Sequence, residues 1–91
     1  MHLEIVSPEA TLFSGEVTSV ILPGMVGEFE LLNNHAPVIS LLKEGHVKIN
    51  GNITLEEAVE KLFTKSDKGF WLSIISGTIE MKDNKVIVLA D

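Results

Sequence analysis

The sequence has no cysteine and no tyrosine, a single tryptophan, and only seven basic residues against 13 acidic ones. Without cysteine there are no disulfides, no thiolate nucleophile and no cysteine-ligated zinc. A chain of 91 residues lacking such staples holds together by packing alone or leans on a partner. The net charge of −6 argues against a nucleic-acid surface, which needs clustered Lys and Arg to neutralise phosphates. It argues equally against electrostatic adhesion to anionic lipid. No apolar run approaches the ~18–20 residues of a membrane-spanning helix. The start, MHLEIVSPEA, has no basic segment leading into a long apolar run, so no signal peptide and no direct membrane insertion are expected.

Chemistry-bearing motifs are missing too. Neither G-x-x-x-x-G-K-[ST] nor G-x-G-x-x-G occurs, and no serine sits in G-x-S-x-G, so no phosphate-cradling loop or nucleophile elbow is expected. His2, His35 and His46 are scattered without ligand spacing, and neither a metal nor a cofactor is expected. Glu28 and Glu30 would share one face of a strand, which suits an acid/base pair or, more simply, a solvated edge. An enzyme built on Glu28, Glu30 and His35 would need the three to converge in one cleft.

What is present is a series of short β-prone runs divided by turn residues. HLEIV alternates until Ser7-Pro8, TLF is followed by Ser14-Gly15, and EVTSVIL ends at Pro23-Gly24, which reads as a turn. EFELL, PVISLL and HVKIN follow, and FWLSIIS, TIEM and VIVLA close the chain. Asp83-Asn84 between the last two suits a tight hairpin, because both residues tolerate positive φ. Hydrophobic residues make up 45 %, a globular value. The pattern predicts an all-β, two-sheet β-sandwich of about eight to ten short strands in a single domain over 1–91.

One segment changes period. After the turn at Asn50-Gly51-Asn52, residues Leu55, Ala58, Val59, Leu62 and Phe63 recur at helical spacing, and Thr54 with Glu57 matches a capping box. This predicts an inserted helix over about 54–65, within an insertion spanning 51–69. Some strands are also apolar on both faces: Ile21 opposes Val20 and Leu22, and Trp71 and Ile75 oppose Phe70, Leu72 and Ile74. A solvated sandwich is polar outside, so something covers these outer residues. The inserted helix and another protein are the two alternatives.

The runs LFSGEV, PG…GEFELL…HAP, SLLKEGHVKI and SGTIEMKDNKVIVLAD together resemble the epsilon subunit of F-type ATP synthase, and within it the N-terminal β-sandwich domain. The resemblance is collinear over residues 3 to 50 and 70 to 91. It implies a non-catalytic rotor subunit of the central stalk, at the cytoplasmic face of the inner (plasma) membrane, which couples ion translocation to ATP synthesis. It implies two partners, the gamma subunit and the c-subunit ring. Carried over by position, Glu28, Phe29 and Glu30 would face the c-ring, while Ser7, Ile21 and His35 would face gamma. The sequence departs from the family pattern at Glu30, at Asn33-Asn34 and in the 51–69 insertion. It ends where most members continue into a two-helix domain, so a short form without that domain is expected. The alternative is a free-standing β-sandwich that binds a peptide or small ligand beneath the inserted helix.

Overall fold

The computed structural model describes all 91 residues and contains ten strands and one short 3-10 turn. In chain order the strands are β1 (His2–Val6), β2 (Thr11–Glu16), β3 (Ser19–Gly24), β4 (Gly27–Leu32), β5 (Val38–Leu42), β6 (Gly45–Asn50), β7 (Phe63–Lys65), β8 (Gly69–Ile74), β9 (Gly77–Lys82) and β10 (Lys85–Ala90). They form one hydrogen-bonded path, β2-β1-β10-β9-β5-β3-β6-β8-β7, with β4 added on β3. The path narrows to a single residue pair, Gly24 with Leu42, between β5 and β3. There it folds over, giving a first layer β2-β1-β10-β9-β5 and a second layer β4-β3-β6-β8-β7. The all-β sandwich read from the sequence is therefore present.

Strand alternation fills the space between the layers. Leu3, Ile5, Ile79, Met81, Val86 and Val88 point inward from the first layer, and Val20, Leu22, Leu31, Val47, Ile49, Leu72 and Ile74 from the second. Their intervening neighbours face out, because successive side chains on a strand alternate. The N-terminal strand β1 pairs with the C-terminal strand β10 in parallel, which ties both ends of the sequence into one layer.

The two tight turns come out differently from their sequence signals. Asp83 and Asn84 form the β9–β10 turn with φ of 53° and 59°, as their tolerance of positive φ leads one to expect. Pro23-Gly24, however, is not a turn: both residues belong to β3, opposite Glu28 and Gly27, and the chain reverses at Met25-Val26. Proline is accommodated there because β6 pairs with β3 only from Ser19 to Ile21, so no ladder donor is required at Pro23. Its carbonyl still accepts a hydrogen bond from the Lys43 amide at 2.9 Å. Likewise Ser14-Gly15 continues β2 rather than ending a strand.

The inserted helix expected over 54–65 does not form. Residues 53–56 are irregular, 57–59 make a turn, Glu60–Leu62 make one 3-10 turn, and Phe63–Lys65 become β7. Only three-residue-spaced bonds occur, such as Leu62 N–H to Val59 O at 2.9 Å, and Thr54 caps nothing. Two forces override the helical period. The open edge of β8 recruits Phe63–Lys65 into a ladder, leaving too few residues to offset the cost of helix nucleation. The residues that pack against the core are Ile53, Leu55 and Phe63, the first two at strand-like spacing, while Ala58 and Leu62 stay exposed. The segment lies beside Thr11–Ser14 and Ala10, closing the side of the sandwich between the β2 and β7 edges. It covers neither outer face.

Candidate functional site

The second layer carries an in-register row on its outer face: Glu30, Ile21, Lys48, Trp71 and Thr64. Lys48 organises it. Its ammonium lies 3.0 Å from the Glu28 carboxylate and 4.4 Å from the centroid of the Trp71 ring, and the His46 ring lies 5.4 Å from that of Trp71, centroid to centroid, tilted by 48°. Half-buried Ile21 sits beneath these long side chains, which cover apolar surface with their stems. Glu30 makes no ion pair, so it is the free acid of the pair while Glu28 is held by Lys48. An exposed ion pair contributes about 0–1 kcal/mol, so this arrangement orients Glu28 more than it stabilises the fold.

Phe29, on the same strand, turns inward and packs against the core. Its ring lies so close to Gly24 that a Cβ added there would sit 2.9 Å from it. Of the three residues expected to face the ring, only Glu28 and Glu30 present their side chains outward.

The outer face of the first layer is of another kind. In one row Val6, Leu89, Thr78 and Leu41 stand side by side, and in the next Glu4, Ile87, Glu80 and Ile39. Ile39 is 78 %, Leu41 62 % and Leu89 51 % exposed. This is an uncovered apolar patch on a fully hydrogen-bonded sheet, a feature that marks interaction surfaces. The sequence pattern singled out Ile21, Trp71 and Ile75 and missed this patch. The alternation of Ile39, Leu41, Ile87 and Leu89 against buried neighbours was the available signal.

Ser7 and His35 both adjoin this first layer, at opposite ends of it. Ser7 follows β1, and its hydroxyl closes a turn with Ala10, accepting from the Ala10 amide at 3.3 Å. His35 sits in the β4–β5 loop, exposed, its Nδ1–H donating to the Ala36 carbonyl at 2.7 Å. Ile21, grouped with them on sequence grounds, lies instead on the outer face of the second layer. Glu28 and Glu30 are neighbours, but His35 lies beyond the far end of β4, so the three do not converge. No group of three His, Asp or Glu side chains is placed to hold a metal ion.

The loop bearing His35 is pinned through Asn33 and Asn34, which both bond to Asn84. Asn34 adopts φ 63°, its amide donates to Asn84 Oδ1 at 2.7 Å, and Asn84 Nδ2 donates to Asn33 Oδ1 at 2.9 Å. The Met1 ammonium joins them, donating to Asn33 Oδ1 at 3.1 Å and to Glu16 at 3.4 Å. Replacing Asn84 with alanine removes both side-chain bonds and a residue suited to positive φ. The expected loss is about 1–3 kcal/mol, readable by chemical denaturation, with faster amide exchange at 33–35.

The same end holds a titratable pair. The Glu16 carboxylate meets His2 Nδ1 at 3.2 Å. That hydrogen bond, followed by the one from the N-terminal amine, pulls the Glu16 carboxyl below its ordinary value of 4.5. A lowered folded-state pKa contributes stability above the ordinary value and loses it as pH falls through the folded one. Glu16→Gln is therefore expected to lower stability slightly and evenly at neutral and alkaline pH, to flatten the acid limb below about pH 4.5, and to converge with the parent in strong acid. Unfolding curves across that range check it.

The sequence profile described as "ATP synthase, Delta/Epsilon chain, beta-sandwich domain" matches residues 1–91. The chain belongs to this family. Among curated relatives it is 39 % identical over 93 residues to the ATP synthase epsilon chain of Campylobacter curvus, covering all of this chain and 72 % of that one. It is 39 % identical over 89 residues to that of Chlorobium limicola, covering 98 % and 86 %. A solved structure of the central stalk and c-ring of Tetrahymena thermophila mitochondrial ATP synthase contains a chain of the same fold. The TM-score is 0.73 at 12 % identity, over 98 % of this chain and 61 % of that one. This epsilon-type domain is thus a non-catalytic subunit of ATP synthase, a peripheral membrane complex. No helix in it is long and apolar enough to cross a membrane.

Proposed function

We propose that this domain is a rotor piece of the central stalk that couples ion translocation to ATP synthesis by holding two partners at once. The gamma subunit docks on the outer face of the first layer, over Val6, Ile39, Leu41, Ile87 and Leu89, with Ser7 and His35 at the two ends of that face. The c-ring meets the β3–β4 hairpin, where Glu28 and Glu30 offer negative charge, at the cytoplasmic side of the membrane. The observation that carries this reading is the uncovered apolar face itself. A monomer rarely leaves such a patch bare, and the 51–69 segment, the only internal candidate to cover it, packs elsewhere. Opposed charges at the second contact would set register and encounter rate more than affinity.

Ile21 changes place in this account. With Lys48, Trp71 and Glu30 around it, it belongs to the hairpin side and not to the gamma face. The free-standing ligand-binding alternative finds little support. The hollow of about 430 Å³ on the second layer has only two apolar walls, Ile21 and Trp71. The wider one of about 630 Å³ beside the 59–62 turn, lined by Leu12, Val59, Leu62 and Leu72 among others, lies open to solvent along Glu9, Lys61 and Asp91. Small-molecule sites are mostly apolar and enclosed, and the helix expected as a lid is absent.

The direct test is co-purification. Tagged domain is expected to retain gamma from the same source through gel filtration as a one-to-one complex. Separate elution of the two at micromolar concentration would overturn the reading.

A further inference from the structure

The two ends of the sandwich differ in chemistry. One end gathers the loops at 17–18, 33–37, 51–52, 67–68 and 83–84, whose exposed residues are mostly polar: Thr18, Asn33, Asn34, His35, Asn52, Asp67, Lys68 and Asp83. The other gathers the loops at 7–10, 25–26, 43–44 and 75–76, with Asp91. At this second end Val26 is fully exposed, Met25 is 59 % exposed and Ile75 67 %.

The β3–β4 tip is anomalous by the protein's own standard. Both it and the β9–β10 turn are two-residue loops, the first closed by the Gly24–Gly27 pair and the second by Lys82–Lys85. The second uses Asp83-Asn84 at positive φ, as such turns prefer. The first uses Met25-Val26, and the positive φ falls on Gly27 at 133°. Neither apolar side chain touches the core, and folding would be served as well by polar residues. A local rule broken without a folding benefit points to function.

Register places the third apolar tip nearby. Gly24 pairs with Leu42 and Leu42 with Gly77, so the 25–26 and 75–76 loops stand two strand spacings apart, about 10 Å. Around them the exposed acids are Glu9, Glu44, Asp91 and Glu28, the last held by Lys48, against the exposed cations Lys43 and Lys61.

We infer that Met25, Val26 and Ile75 form an apolar docking tip with an acidic collar, which seats in an apolar notch flanked by cationic side chains on the partner protein surface. This rests on the proposed function, which makes that partner the c-ring. The acidic collar selects a cationic protein surface and repels an anionic lipid one. The apolar tips contribute the desolvated centre of the contact, and the carboxylates its rim.

The test uses the full chain in complex with gamma, titrated onto c-ring purified in detergent. Met25→Ser with Val26→Ser, and separately Ile75→Ser, are expected to weaken c-ring binding about tenfold or more. Gamma binding and thermal unfolding should remain as in the parent, since all three side chains are exposed. Unchanged c-ring affinity in both variants overturns the inference. If Glu28→Gln with Glu30→Gln still weakens binding in that case, the proposed function survives without the apolar tip. If the parent complex does not bind the c-ring at all, the reading of the partner fails with it. Tip-dependent binding to protein-free phosphatidylcholine/phosphatidylglycerol vesicles would overturn it in favour of lipid.

Discussion

Replacing Ile39 and Leu41 together by aspartate is expected to weaken binding of the domain to gamma by about 100-fold or more. Each side chain stands on the solvent face of β5, 78 % and 62 % exposed, between buried or half-buried neighbours that hold the strand in place. Apolar anchors at the centre of an interface typically contribute 2 kcal/mol or more each, so losing two reaches the 100-fold range. Putting carboxylates there adds the cost of burying an unpaired charge. The isolated domain should barely notice, because exposed substitutions fall within about ±0.5 kcal/mol. Calorimetric titration against gamma, beside a denaturation curve of the domain alone, separates the two effects. Ile21→Asp is the internal control: on the opposite layer, it should leave gamma affinity within about twofold.

The second large effect concerns what holds the hairpin. Strand β4 pairs only with β3, so it lacks a second ladder. Its anchors are Leu31, fully buried, and half-buried Phe29 against Gly24. Leu31→Ala is expected to cost about 2–5 kcal/mol from lost burial and the cavity left behind. That is a large part of the roughly 5–15 kcal/mol such a domain possesses. Urea unfolding measures it, and a loss below about 1 kcal/mol would mean that the hairpin is not anchored through the core. Glu30→Gln, one position away but facing out and unpaired, should fall within about ±0.5 kcal/mol. The same strand thus carries its fold on one face and, in the proposed reading, its contact with the c-ring on the other.

Much of this architecture was legible in the sequence, where a single physical rule decided the outcome. Alternation in HLEIV, HVKIN and VIVLA fixed which residues turn inward, and Asp83-Asn84 fixed a hairpin. The rules misled where two of them competed. Pro23-Gly24 has the composition of a turn, but pairing between β3 and β4 runs through it because no donor is needed at the proline. Residues 54–65 have a helical period, but the open edge of β8 and the pull of Ile53 and Leu55 toward the core take precedence. Tertiary demands of that kind are not encoded locally. The candidate site was legible in its charge, Glu28 beside Glu30, whereas the distance of His35 from them came only from the fold, which sets it beyond the far end of β4. Its ordering through Lys48 and Trp71 was not, since those residues arrive from β6 and β8. The apolar face over Ile39, Leu41 and Leu89 depends on which strands become neighbours, so only the assembled sheet brings it together.

The central claim is that opposite layers of one small sandwich serve different partners, and cross-linking tests it most directly. The chain contains no cysteine, so each substitution introduces a unique thiol. In the assembled ATP synthase, a short thiol-to-amine cross-linker attached at Leu41→Cys is expected to join this subunit to gamma. The same reagent at Glu30→Cys is expected to join it to a c subunit. Cross-linking of both positions to the same partner, or of Leu41→Cys to the c-ring, would contradict the account.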